Sequence, residues 1–273
     1  LSLRALRFTF HVERLTRTMA ENDKHRARIF LHRGDLVQAR AAWEAAVKDD
    51  RLTGTQRELS NSLGNLGNTY ALAGELEKAD ACYKEVLAIQ RGEQDPHAIA
   101  HTLVNLGNLY IGADRPEKAR PYYLEALDLL KPLNDHRALG ILYHNLAMEE
   151  ARQHQWDESI RLFTQALDSH RVVGNEEGLA GTYSQLGKTF LDSGRTVEAE
   201  RCFNNASEHF IKLGNPAGEA AVLRELADLY EQRRDRVAAI RCVERLHHLA
   251  LGTGRAPAAA DRERLARLRA TRS

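Results

Sequence analysis

The chain has 273 residues, 28% of them charged and 43% hydrophobic, with 39 basic against 38 acidic side chains. That mixture excludes a disordered chain and gives no overall pull toward nucleic acid, and no run of about 18 apolar residues exists to span a bilayer. Three cysteines are too few for a disulfide framework and predict a reducing, cytoplasmic location.

Residues 1–18 admit two readings. Leu6, Phe8, Phe10 and Val12 alternate with polar residues at a strand period, while Leu3, Leu6 and Phe10 also fit helical turns. The stretch is Arg-rich, with no acid before Glu13, and lacks the long apolar core of a secretory signal. It is compatible with a targeting role, or with a leader before an alternative start at Met19.

From residue 19 onward the chain repeats itself every forty residues. Ala39, Ala79, Ala119, Ser159, Ala199 and Ala239 form a column of small residues. Four positions later stand Trp43, Tyr83, Tyr123, Phe163, Phe203 and Val243, so both columns share one helix face. A second set comprises Leu66, Leu106, Leu146, Leu186 and Leu226, each followed by Gly or Ala. Tyr70, Tyr110, Glu150, Phe190 and Tyr230 follow four positions after each Leu. Each unit therefore reads as two helices whose narrow apolar stripes one unit alone cannot bury, which is the logic of a solenoid.

The punctuation agrees with the period. Thr55, Asp95, Asp135, Asn175 and Asn215 stand before each first helix, all good N-caps. Pro96 and Pro216 follow at the first helical position, where proline is tolerated. The units predicted are approximately 19–54, 55–94, 95–134, 135–174, 175–214 and 215–250. In the first of them Arg26, Ala27 and Phe30 take the Leu, Gly and Tyr places, a degenerate start suited to a cap. Residues 251–273 read as a linker and a capping helix from Asp261 to about Ala270, whose Leu265, Ala266 and Leu268 would cover the last unit.

Asn65-Leu66-Gly67-Asn68-Thr69-Tyr70, with Ala79, Tyr83 and the later small residues Ala126, Ala166 and Ala206, resembles the tetratricopeptide repeat (TPR). The usual period of that repeat is 34 residues. The forty found here is similar to the longer repeats of LGN/Pins adaptors, kinesin light chains and several bacterial regulators. The resemblance implies an all-α fold, a right-handed TPR superhelix of about six helix pairs plus a C-terminal capping helix. It also implies a non-catalytic adaptor whose concave first helices bind an extended peptide segment of a protein partner.

No catalytic constellation competes with that reading. Cys82, Cys202 and Cys242 occupy one repeat position, shared with Ala42, Tyr122 and Leu162, so all three read as packing residues. His97 and His101 have the i, i+4 spacing of two metal ligands, but no third ligand accompanies them. No phosphate-binding loop or nucleophile elbow is present, and Glu149-Glu150 and Glu176-Glu177 read as solvated helix surface. No catalytic residue, metal or cofactor is expected.

The candidate binding residues lie on the first helices. One position before each Leu come Asn65, Asn105, Asn145, Gln185 and Glu225, and two after it come Asn68, Asn108, Met148, Lys188 and Asp228. Two before it are Gly64, Val104, His144, Ser184 and Arg224, and five before it Asn61, His101, Ile141, Gly181 and Ala221. An amide offers both a donor and an acceptor, so a row of amides can track a peptide backbone. The same row would also serve to bridge adjacent helices, and the sequence leaves both roles open. From these rows Asn65, Asn68, His101, Asn105, Asn108, His144, Asn145, Gln185 and Lys188 are the expected contact residues. A chaperone-tail clamp would place its cations and amides at Lys24, Arg28, Asn65, His101 and Asn105, of which Lys24 and Asn65 fit.

Charge is unevenly spread. Residues 1–40 hold nine basic against four acidic side chains, and residues 224–273 hold twelve against seven, while the middle is acidic. Two further roles follow from these features. One is a signal-peptide-sensing module of a bacterial regulator. The other, an RNA-binding helical repeat, lacks the aromatic interleaving that single-strand binders use.

Overall fold

A computed structural model describes residues 21–270 of the chain. The segment 1–18, with its two readings, lies outside the described residues. Every regular element among those described is an α-helix. They are α1 (21–32), α2 (Leu36–Thr53), α3 (Gln56–Leu72), α4 (Leu76–Glu93), α5 (Pro96–Gly112), α6 (Pro116–Leu133), α7 (His136–Arg152), α8 (Trp156–Val172), α9 (Glu176–Asp192), α10 (Thr196–Lys212), α11 (Pro216–Gln232), α12 (Arg236–Gly252) and α13 (Ala259–Ala270). The helices gather in two compact units that part between Leu133 and Asn134.

The helix starts are chemically explicit. Side chains of Asp95, Asp135, Asn175 and Asn215 each accept a hydrogen bond from the backbone N–H three residues on. Thr55 forms a full capping box with Glu58, satisfying donors in both directions. The turns inside the pairs have one residue with positive φ each, at Gly34, Gly74, Asp114, His154, Gly194 and Arg234.

In the N-terminal unit, three successive helix pairs stack by the columns read from the sequence. Ala39, Ala79 and Ala119 are fully buried, and Trp43, Tyr83 and Tyr123 are nearly so. Each such aromatic contributes about 1.5–3 kcal/mol by leaving water. The rings need space, and glycine supplies it. A Cβ on Gly67 would lie 2.8 Å from a Tyr83 ring carbon, and one on Gly107 2.2 Å from Tyr123. Successive pairs are also tied by polar bonds. The hydroxyls of Tyr70 and Tyr110 donate to Glu44 and Asp80 of the preceding second helix, each at 2.7 Å. Arg51 reaches Glu85, and Arg91 reaches Glu125, along the second helices.

The C-terminal unit repeats the scheme through α7–α12, although Glu149 and Glu150, expected as solvated surface, are buried on α7. Ser159 replaces alanine in the small column, and its hydroxyl donates to the Ala147 carbonyl at 2.8 Å, so the polar atom is satisfied. Gly187 again makes room, here for the Phe203 ring. Cys202 and Cys242 are buried, as is Cys82 in the other unit, and burial pushes each thiol up to about 11. They are neutral packing residues with little nucleophilic character.

The last helix, α13, packs against α12. Leu265 and Leu268 are buried, as expected for a cover, but Ala266 is exposed and Asp261 is the third buried residue. Among the described residues no helix is long and apolar enough to cross a membrane.

Candidate interaction surface

The first helices of the N-terminal unit present the asparagines differently from one another. On α3, Asn65 donates through Nδ2 to the carbonyl of Asn61 at 2.8 Å, a bond within its own helix. Asn68, one turn further, is exposed and accepts from the Tyr83 hydroxyl at 2.6 Å. On α5, Asn108 accepts from Tyr123 in the same way and at the same distance. Burial raises the Tyr83 phenol to about 12, so it remains a donor throughout the physiological range. These amides therefore do bridge two helices of a pair through the aromatic column.

Asn68, Asn105 and Asn108 also line one cavity of about 520 Å³ between α3, α4 and α5. Leu72, Leu76 and Leu109 complete its apolar part, and Tyr83 contributes to its wall. Leu72 is 67% exposed, an apolar side chain held at the rim. Asn65 and His101 are not part of this lining.

In the C-terminal unit the same positions behave otherwise. His144 is part of the packing: its Nδ1 lies 3.0 Å from the Thr182 hydroxyl, and its ring meets Phe163 edge-on. Burial, with a smaller contribution from nearby His170, lowers its pKa to about 4. Lys188 is paired with Glu225 at 3.2 Å. Asn145 and Gln185 sit half-buried on α7 and α9. No group of three or more His, Cys, Asp or Glu that could hold a metal gathers among the described residues.

Tyr83, Leu72, Leu76 and Leu109 are absent from the residues expected from the sequence. The signal for Tyr83 was present. Wherever the row after the Leu holds Asn, the aromatic column fifteen residues on holds Tyr; Met148 and Lys188 are instead followed at that spacing by Phe163 and Phe203. Reading the columns in pairs exposes the bond, which reading them singly does not.

Comparison with known proteins places these features in a family. The sequence model of the tetratricopeptide repeat matches residues 18–92 and 98–171, more than half of the chain. Residues 142–250 also match the model of soluble NSF attachment protein, SNAP. No curated protein matches the sequence. Among solved structures, BtubC (BKLC) of P. vanneervenii superimposes with a TM-score of 0.65 at 19% identity, covering 96% of this chain and 93% of its own. A Signal Transduction ATPase with Numerous Domains from Pyrococcus horikoshii, which has a tetratricopeptide repeat sensor, gives 0.78 at 17% identity over 94% of this chain, which spans 40% of it. Aspartyl phosphate phosphatase F of Bacillus subtilis gives 0.72 at 11% identity, with 96% and 73% covered. At these identities the likeness concerns fold. The match of more than half the sequence to the repeat's own model assigns the chain to the tetratricopeptide repeat family.

Proposed function

We propose that the chain is a non-catalytic adaptor that holds an extended peptide segment of a protein partner against its first helices. The observation that supports this most is the convergence of Asn68, Asn105 and Asn108 on one open cavity of the N-terminal unit. Amides hold a backbone with little demand on its side chains. A cavity of this volume lies in the range of ligand sites. The contact residues proposed are Asn65, Asn68, His101, Asn105 and Asn108 in one unit and Asn145, Gln185 and Lys188 in the other; His144, expected among them from the sequence, is left out because its ring packs against Phe163 and Thr182.

The test is selection of random displayed peptides on the parent chain and on a variant with Asn65, Asn105 and Asn145 all changed to Ala. The expected result is loss of the selected peptides by the variant with an unchanged melting temperature. Equal binding by both proteins would refute the assignment of these rows, and loss of the fold would show that the amides serve packing instead.

A second reading draws on the Pyrococcus structure, in which a repeat array of this fold belongs to a sensor within a longer chain. There the groove would take a signal peptide and report to another domain. Recovery of the complete gene tests it: a continuous reading frame encoding an ATPase or DNA-binding domain supports the sensor.

A further inference from the structure

The cavity between α3, α4 and α5 is uncharged. None of its lining residues is Asp, Glu, Lys, Arg or His. The cavity beside α13 in the other unit is a contrast, lined by Asp228, Glu231, Glu263, Arg264 and Arg267. A charged side chain entering the N-terminal cavity would lose water without meeting an opposite charge.

Its polar groups are also biased in one direction. The Tyr83 hydroxyl occupies Oδ1 of Asn68, so the remaining hydrogen-bonding capacity of that amide is chiefly its two N–H donors. The Tyr83 ring is only 3% exposed and is wedged over Gly67, so the amide is held in this orientation by the core. Asn105, half-buried on the facing helix, lines the same space. Leu72, Leu76 and Leu109 supply an apolar wall, with Leu72 at the mouth. The site thus combines apolar walls, amide N–H donors and no charge.

We propose that this cavity is a subsite for one bulky apolar side chain of the bound segment, with the adjoining backbone carbonyl accepting from the Asn68 amide. The inference rests on the peptide-binding reading and adds a sequence preference to it: a neutral segment with a large apolar residue at one position. Asn68 is then a donor to the peptide and does not read its N–H groups.

The probes are N-acetylphenylalaninamide, N-acetyl-aspartic acid amide and N-acetyl-lysinamide, added in millimolar excess to the full chain and followed by the side-chain amide signals of Asn68 and Asn105 in nitrogen-15 NMR. The phenylalanine probe is expected to shift both signals and the charged probes to leave them in place. Ala71→Leu is expected to fill the cavity and abolish the shifts. Leu191 stands at the same repeat position in the other unit, so the larger residue fits the fold. Ala113→Leu is the second such variant, at a turn position where Gln153 and Arg233 are accommodated elsewhere. Tyr83→Phe keeps the ring but releases the amide, and should weaken the phenylalanine probe about five-fold, the worth of one neutral hydrogen bond. Shifts of equal size from all three probes, no shift from any, or shifts that persist with the cavity filled would each overturn the proposal.

Peptide display separates this inference from the reading beneath it. Selected peptides that lack a bulky apolar position and ignore Ala71→Leu remove the subsite and keep the adaptor. A chain that responds to the phenylalanine probe but selects no peptide keeps the cavity's chemistry and loses the adaptor.

Discussion

Gly107 has room for a hydrogen and little else. An added Cβ would sit 2.2 Å from Cε1 of Tyr123, a ring that is fully buried and cannot swing aside. Alanine is the better helix former by about 1 kcal/mol. Overpacking a closed core costs about 1–3 kcal/mol or more, and at so short a distance the clash should win. Gly107→Ala is therefore expected to lower the urea midpoint; a midpoint equal to or above the parent's would show that the ring yields. His144 makes a second prediction at this scale. Its folded pKa, about 4, lies below the ordinary 6.5, so the unfolded chain binds the proton more readily. Its effect on stability is nil above pH 6.5 and increasingly unfavourable as pH falls from there toward 4. His170, also held low by burial, acts in the same direction. His144→Ser, with the residue that Ser184 supplies in the next repeat, should flatten the fall in melting temperature between pH 7 and 5. An unchanged slope would remove His144 as its source. The sequence could not assign His144 to packing, because its column holds Gly64, Val104, Ser184 and Arg224 and so has no shared chemistry. The cap column was legible because Thr, Asp and Asn share one chemistry at a helix start.

At the scale of elements, α13 differs from the twelve helices before it in how it is held. It buries two leucines and one aspartate, too little apolar surface to fix a helix of this length unaided. Ion pairs supply much of the rest. Arg264 contacts Asp228 at 2.7 Å and Glu231 at 2.5 Å, and Arg267 also reaches Glu231. Asp261 takes Arg224 of α11 at 3.0 Å. Arg236 of α12 donates to the carbonyls of Leu268 and Arg269, closing the C-terminal end of α13. Most of these pairs are partly exposed, and salt weakens pairs of that kind, with screening lengths near 3 Å at 1 M. Hydrogen exchange across α13 is accordingly expected to accelerate on going from low salt to about 1 M, while exchange in α11 and α12 changes little. Exchange in α13 that ignores salt would mean its two leucines suffice. A helix over these residues was legible from Asp261 and the spaced leucines, although it begins two residues before the expected start, at Ala259. Its attachment was not, because the partners lie about 25–37 residues away on α11 and α12 and only folding brings them together.

At the scale of the whole molecule, the period decides how stability is distributed. Within each unit the helix pairs bury their columns against one another, and the main helix contacts join elements adjacent or nearly adjacent in the chain. In such an array stability is a sum of local terms, and damage propagates only as far as neighbouring interfaces carry it. The same locality explains why the fold was legible at all. A column forty residues apart records one packing position six times, so tertiary contacts appear as repeats in the sequence. The candidate site was less legible for the same reason: its Tyr83–Asn68 bond joins two columns, and each column alone looks like either core or surface. Gly187→Ala tests the locality. A Cβ there would lie 2.6 Å from the Phe203 ring, loosening α9 against α10. Hydrogen exchange should rise in α9 and α10, less in α8 and α11, and remain at the parent's level in α3 and α4 of the other unit. A uniform loss of protection across all helices would mean that the chain unfolds as one cooperative body, and the additive picture would have to be abandoned.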